Sequence, residues 1–81
     1  MPLTTGPQLR AARAMARVDQ ETLAATAGAT PNTVRRLEAM PGRLRSTTTT
    51  VDGLQGVLEA AGVEFLPGGG VRLRERPAEA S

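Results

Sequence analysis

The sequence predicts a mainly α domain: a bundle of four short helices followed by a C-terminal β-hairpin or strand. Three observations predict it. Apolar residues recur at spacings of three and four through residues 9–61, the period of helices that bury one stripe. Helix-start signals punctuate that pattern at Thr5, Asp19, Thr30 and the threonine run, each with a side-chain oxygen able to take an orphan backbone N–H. After Gly62 the period falls to two, in V-E-F-L and V-R-L-R on either side of P-G-G-G, as strands require.

Met1 to Thr4, uncharged apart from the α-amino group, reads as a loose arm. The first helix starts at Thr5 or Gly6 with Pro7 in its first turn. Leu9, Ala12 and Ala16 line one side of it, with Arg13 at the margin. Arg10 and Arg17 are more exposed, and phosphate contact or plain solubility would equally explain them.

The stretch V-D-Q-E-T-L-A-A-T-A-G-A-T-P-N-T-V-R-R-L-E, residues 18–38, organises the rest. Asp19 caps a helix whose stripe is Leu23, Ala24 and Ala27. Gly28 stands where a helix ending in left-handed conformation favours a residue without Cβ. Ala29 turns inward and Thr30 caps again. Pro31 takes the first helical position, where its missing N–H costs nothing. In the helix from Thr30 to Ala39, Val34 and Leu37 share one side at 100° per residue, while Asn32 projects almost opposite, flanked by Arg35 and Arg36. An amide between two guanidiniums suits the major groove of DNA: asparagine can pair bidentately with adenine, and arginine with guanine or a phosphate. The stretch therefore reads as a helix-turn-helix with 30–39 as recognition helix, and with Asn32, Thr33, Arg35 and Arg36 as base-reading candidates.

Met40 to Thr49 reads as a loop, broken from the helix by Pro41 and Gly42. Arg43 and Arg45 in it suit the DNA backbone, although a disordered linker is the competing reading. Four consecutive β-branched threonines favour extended structure. The fourth helix is expected to start with Thr49 or Thr50 as cap, with Asp52 in its first turn. Val51, Leu54, Leu58 and Ala61 form its core stripe and Gly62 its end. Gly53, Gly56 and Ala60 form a stripe of small residues, explained either by close approach of another backbone or by tolerance on an exposed face. In the hairpin, Val63 and Phe65 share a face with Val71 and Leu73 only if Phe65 lies opposite Val71 and Val63 opposite Leu73, with Leu66–Gly70 as the loop. A two-stranded ribbon is marginal alone, so these four residues are candidates for dimerisation. The expected organisation is 1–62 DNA-binding domain, 63–74 hairpin and 75–81 disordered tail.

Composition narrows the chemistry. The absence of cysteine and histidine excludes disulfides, zinc fingers, thiol catalysis and imidazole bases. No nucleophile–base pair, metal cluster or phosphate-binding glycine motif occurs, and P-G-G-G opens no helix, so an enzyme is not expected, nor a cofactor or metal. No apolar run is long enough to cross a membrane and the N-terminus is no secretory signal, so a cytoplasmic location is expected. Net charge is only +2, but residues 1–45 hold seven arginines against three acids, whereas 46–81 hold three against five. The basic half is the half carrying the helix-turn-helix. Every cation is arginine, which genomic base composition explains better than a demand for guanidinium geometry. A core of nine leucines, six valines and one phenylalanine is modest, and a partner subunit would help it.

Residues 18–38 resemble the helix-turn-helix of the lambda-repressor/Cro-like, or XRE-type, family. Its pattern of apolar-Ser-Gln-x-x-Leu-Ala-x-x-x-Gly-apolar-Ser-x-x-Thr-apolar-x-x-apolar-Glu is met by Val18, Gln20, Leu23, Ala24, Gly28, Thr33, Val34, Leu37 and Glu38. Asp19 and Thr30 replace the serines with other capping residues. The resemblance extends back through Leu9–Arg13 and, more weakly, forward to Leu58–Val63. Departures are Arg17 in place of a helix-ending glycine, Met40-Pro41 in place of Asn-Gly, and a longer loop. The resemblance implies a lambda-repressor-like bundle and an ion pair of Arg13 with Glu38 tying the first helix to the third. It further implies a phosphate contact from Gln20, which also braces the recognition helix. Phosphate contacts are thus expected from Gln20, Thr30, Arg43 and Arg45. The expected function is a transcription regulator, such as a repressor, binding double-stranded DNA as a homodimer. An antitoxin that binds DNA and a toxin, or an interaction module without DNA binding, are the alternatives.

Overall fold

A computed structural model describes residues 3–74; the tail expected at 75–81 lies outside them, as do Met1 and Pro2 of the arm. The elements run α1 (Gly6–Ala16), α2 (Gln20–Ala27), α3 (Pro31–Glu38), α4 (Thr48–Ala60), β1 (Val63–Leu66) and β2 (Gly70–Leu73). The chain is thus mainly helical, with a two-stranded antiparallel sheet at its C-terminal end. Among the described residues no helix is long and apolar enough to cross a membrane.

Each helix starts where a short polar side chain can accept the N–H three residues on, satisfying an otherwise orphan donor. Thr5 accepts from Gln8, Asp19 from Thr22, Thr30 from Thr33 and Thr47 from Thr50, at 3.2, 2.7, 3.2 and 3.2 Å. At Thr5 the bond is reciprocated: Gln8 Oε1 accepts from the Thr5 N–H at 3.4 Å, completing a capping box. Helices α1 and α2 end in the same way. The N–H of Val18 reaches Arg13 O and that of Ala29 reaches Ala24 O, each across a residue in left-handed conformation. That residue is Gly28 (φ 75°) in α2 but Arg17 (φ 58°) in α1, the one non-glycine with positive φ among the described residues.

The core joins all four helices and the hairpin. Leu9, Leu23, Val34, Leu37, Leu54, Leu58 and Val63 are fully buried, with Ala12, Ala24, Val51 and Phe65 beside them. Helix α2 packs against α3 and α4, α1 lies against α3, and the hairpin covers α1 and α4. On α4, Val51, Leu54 and Leu58 face inward as expected, but Ala61 lies past the helix end and is exposed. The small-residue stripe divides. A Cβ on Gly53 would meet Ala27 O at 3.3 Å, a close approach of α2's last turn, whereas Gly56 faces open space.

Three expectations need correction. The arm is not loose from Leu3 onward: Leu3 is 1% exposed, a core residue contributed from outside any helix. Nor is 40–47 a free linker. Leu44 N–H donates to Thr4 O at 2.8 Å, Gly6 N–H donates to Gly42 O at 3.2 Å, and Thr5 forms an antiparallel bridge with Arg43. The arm, which reads as loose, and the loop, for which a disordered linker is the competing reading, satisfy one another's backbone. Finally, α4 starts two to three residues early, capped by Thr47. The β-branched penalty comes from crowding against a preceding turn, and Thr48, Thr49 and Thr50 occupy the first turn, which has none before it.

The hairpin register is the one required for a shared apolar face: Val63 opposite Leu73 and Phe65 opposite Val71. Leu66 and Gly70 also pair, so the loop shortens to Pro67–Gly69, with Gly68 and Gly69 at positive φ.

Candidate nucleic-acid interface

Helix α3 is two turns long, too short to be stable by itself, so its orientation is set by what holds it. Inward, Val34 and Leu37 are fully buried. At its C-terminal end the Glu38 carboxylate is only 6% exposed and receives three donors: Arg13 Nε at 2.5 Å, Arg13 Nη2 at 3.3 Å and Gln20 Nε2 at 3.0 Å. Arg13 Nη1 also donates to Val18 O at 3.1 Å. One guanidinium therefore links α1, the α1–α2 turn and α3, and the buried carboxylate is left with no unmet oxygen. Gln20 is half-buried and spends one amide hydrogen on Glu38, so it braces α3 directly and has its second N–H for another acceptor.

The outward face of α3 is as the sequence spacing predicts. Asn32, Arg35 and Arg36 are exposed, and with Thr33 and Ala39 they line a shallow open concavity. Thr33 is half-buried. Its hydroxyl is within 3.0 Å of that of Thr30, which already accepts the Thr33 N–H. Thr30 and Thr33 thus form the helix start rather than two independent polar groups.

The cations fall into two sets. Arg13 and Arg72 are ion-paired, and Arg74 donates to Glu59 O. Arg10, Arg17, Arg35, Arg36, Arg43 and Arg45 are exposed and, among the described residues, make no ion pair or side-chain hydrogen bond. All six lie in the first 45 residues, where Glu38 is already consumed by Arg13. Asp19 is occupied too: the Thr22 backbone N–H and hydroxyl hold its carboxyl below the ordinary range. The net charge of this half is unchanged by the internal Arg13–Glu38 pair, but what remains at its surface is six exposed guanidiniums against the two exposed carboxylates of Asp19 and Glu21. In the loop, half-buried Leu44 packs on the core and alternates with exposed Arg43 and Arg45.

The candidate dimerisation residues separate. Val63 and Phe65 belong to the chain's own core; Val71 is half-buried and Leu73 is 57% exposed. The Arg74 N–H bonds Gly62 O at 2.6 Å, so by antiparallel alternation Glu64–Arg72 is a bonded pair and Val63–Leu73 is not. Val71 and Leu73 therefore turn their N–H and C=O groups to the outer edge of β2. On the opposite face, Arg72 Nε sits 2.6 Å from Glu64, which keeps that carboxyl below its ordinary pKa.

Leu3 and Gln8 are buried residues with no role assigned from the sequence, and Gly6, expected only as a helix start, is buried as well. Gln8 is 3% exposed; its Oε1 accepts from Thr4 N–H at 2.7 Å and its Nε2 donates to Gly70 O at 3.3 Å, joining arm, helix and hairpin. The signal for Gln8 was present in T-G-P-Q, which has capping-box spacing. No family model, curated protein or solved structure matches the chain.

Proposed function

We propose that this chain is a sequence-specific, double-stranded DNA-binding transcriptional regulator of the lambda-repressor/Cro-like kind, acting as a homodimer on an inverted repeat. The observation that carries the reading is α3: Asn32, Arg35 and Arg36 project, unpaired among the described residues, from a helix whose other face is fixed by Val34, Leu37 and the Arg13–Glu38–Gln20 cluster. Side chains that read bases need a donor or acceptor still available and display on a rigid support, which a Thr33 hydroxyl with one bond to Thr30 retains. Asn32, Thr33, Arg35 and Arg36 face the major groove in this reading, while Gln20, Thr30, Arg43 and Arg45 contact phosphates and set the register.

The dimer reading is supported by the outer edge of β2, where Leu73 is exposed and the backbone groups of Val71 and Leu73 have no partner among the described residues. A dyad through Arg72 would pair Val71 with the partner's Leu73 in a continuous four-stranded sheet. Binding to an inverted repeat requires the two recognition helices of such a dimer to lie about 34 Å apart, one turn of the duplex. The protein works in the cytoplasm, on nucleoid DNA, as a binding protein and not an enzyme, and it needs no cofactor.

The test is selection of bound duplexes from a random pool. An enriched, dyad-symmetric site is expected, and Asn32→Ala should cost about 1–3 kcal/mol and relax preference at one or two base pairs. A pool that yields no enriched sequence, or full discrimination by Asn32→Ala, refutes the assignment.

A further inference from the structure

We propose that Leu3–Gly6 is a strap that positions the basic loop 40–47, with Leu3 as the positioning residue that holds Arg43 in place for the DNA backbone. The inference rests on the DNA-binding reading above and concerns how the loop's charge is presented.

Every backbone donor of the strap is bound. Leu3 N–H goes to Gln55 Oε1 at 3.3 Å, Thr4 and Thr5 N–H to Gln8 Oε1 at 2.7 and 3.4 Å, and Gly6 N–H to Gly42 O at 3.2 Å. The acceptors are fixed in turn, Gln55 by donating to Glu59 at 3.0 Å and Gln8 by donating to Gly70 O at 3.3 Å. The Leu3 side chain is buried among core residues, so the strap is anchored by packing as well as by hydrogen bonds.

The loop is not anchored so firmly by its own bonds. Among the described residues its backbone donors otherwise reach only Leu37 O, from Met40, and the Met40 sulfur, from Arg45. Besides the packing of Met40 and Leu44 on the core, what gives Arg43 a defined backbone is the two-stranded contact with the strap, where Thr5 lies opposite it and Leu44 bonds Thr4. A cation on an ordered backbone loses less conformational freedom when it meets a phosphate than one on a free loop. Phosphate contacts carry no sequence information. Loosening the strap should therefore weaken binding to every duplex alike and leave base preference intact.

The test is a double-mutant cycle of Leu3→Ala with Arg43→Ala, read as affinity for the selected duplex and a scrambled one, with hydrogen exchange of the Leu44 amide measured alongside. Gln55→Leu removes a strap acceptor without a core cavity and carries the test if Leu3→Ala does not fold. Either strap variant should lose up to about tenfold in affinity for both duplexes and exchange the Leu44 amide faster than wild type. Adding Arg43→Ala to it should cost much less than Arg43→Ala costs in the wild type. Additive losses, or an unchanged Leu44 exchange rate, overturn the strap's role while leaving DNA binding standing. A wild-type protein that binds no duplex overturns the functional reading and this inference with it.

Discussion

Replacing Gly6 with alanine sets two effects against each other with opposite signs. Helix propensity favours alanine by up to about 1 kcal/mol, and less at a first-turn position. Packing opposes it. A Cβ at Gly6 would lie 2.2 Å from Met40 O, 2.6 Å from Leu37 O and 3.2 Å from Glu38 O, all backbone atoms that no rotamer change can move aside. Relief requires the start of α1 to withdraw from the end of α3 by roughly 1 Å to restore ordinary contact. Overpacking of this kind costs about 1–3 kcal/mol, and withdrawal strains the Gly6–Gly42 hydrogen bond, worth about 1 kcal/mol. The net expectation is a loss of about 2–3 kcal/mol, from a domain whose whole stability is on the order of 4–12 kcal/mol at this length. Urea unfolding followed by far-UV circular dichroism measures it. With m near 1 kcal/mol/M, the midpoint should fall by about 2 M. Gly56→Ala is the internal comparator: it has nothing within 4 Å, so propensity acts alone and stability should rise by about 1 kcal/mol. Gly53→Ala, 3.3 Å from Ala27 O, should fall between them. A Gly6→Ala protein as stable as wild type would refute the account of how α1 meets α3.

Arg13→Met leaves the Glu38 carboxylate, 6% exposed, with Gln20 as its remaining donor, and should destabilise the fold by about 3 kcal/mol. Adding Glu38→Gln should restore part of that loss in thermal unfolding, and strict additivity would show the pair is not coupled. Arg17→Gly removes a Cβ from a left-handed residue and should raise stability by about 1 kcal/mol, seen as a higher Tm. On acidification, Asp19 and Glu64, both held below their ordinary pKa, contribute stability that is complete above about pH 5 and lost as pH falls through their lowered folded values. Asp19→Asn keeps an oxygen for the Thr22 N–H but no titration, so its stability should fall less steeply between pH 4 and pH 2 in urea titrations at stepped pH.

What could be read from the sequence, and what could not, divides by the range of the interaction. Asp19, Gly28, Thr30 and Pro31 act within one helical turn, and each takes the expected role in the structure. The strand register was legible for a related reason: period-two alternation permits one pairing that joins both apolar pairs, and a slip inverts a strand. Leu3 and the loop were not legible, because neither has a periodic neighbour and their pairing spans about forty residues of chain. The α4 start is not legible because four threonines offer equivalent caps, and which one is used depends on where the preceding loop is tied down. At the candidate site, the exposure of Asn32, Arg35 and Arg36 followed from helical geometry. The contact of Gly6 with the α3 carbonyls had no local signal at all.

That last contact bears on why so short a helix can present a fixed surface. The outward polar face of α3 adds no side-chain hydrogen bond or ion pair to hold it, since Asn32, Arg35 and Arg36 make none among the described residues. Restraint comes from the ends and the back. Thr30 closes the N-terminus, Val34 and Leu37 set the rotation, and Glu38 ties the last turn to α1 and α2. Gly6 then lets α1 sit directly against the final carbonyls and sets the depth. Rotation and depth are separately fixed, by different residues on different elements. A substitution at Gly6 should therefore shift the whole displayed face along one direction without turning it, whereas loss of the Glu38 cluster should free the last turn, where Arg35 and Arg36 lie, and leave Asn32 near the capped end in place.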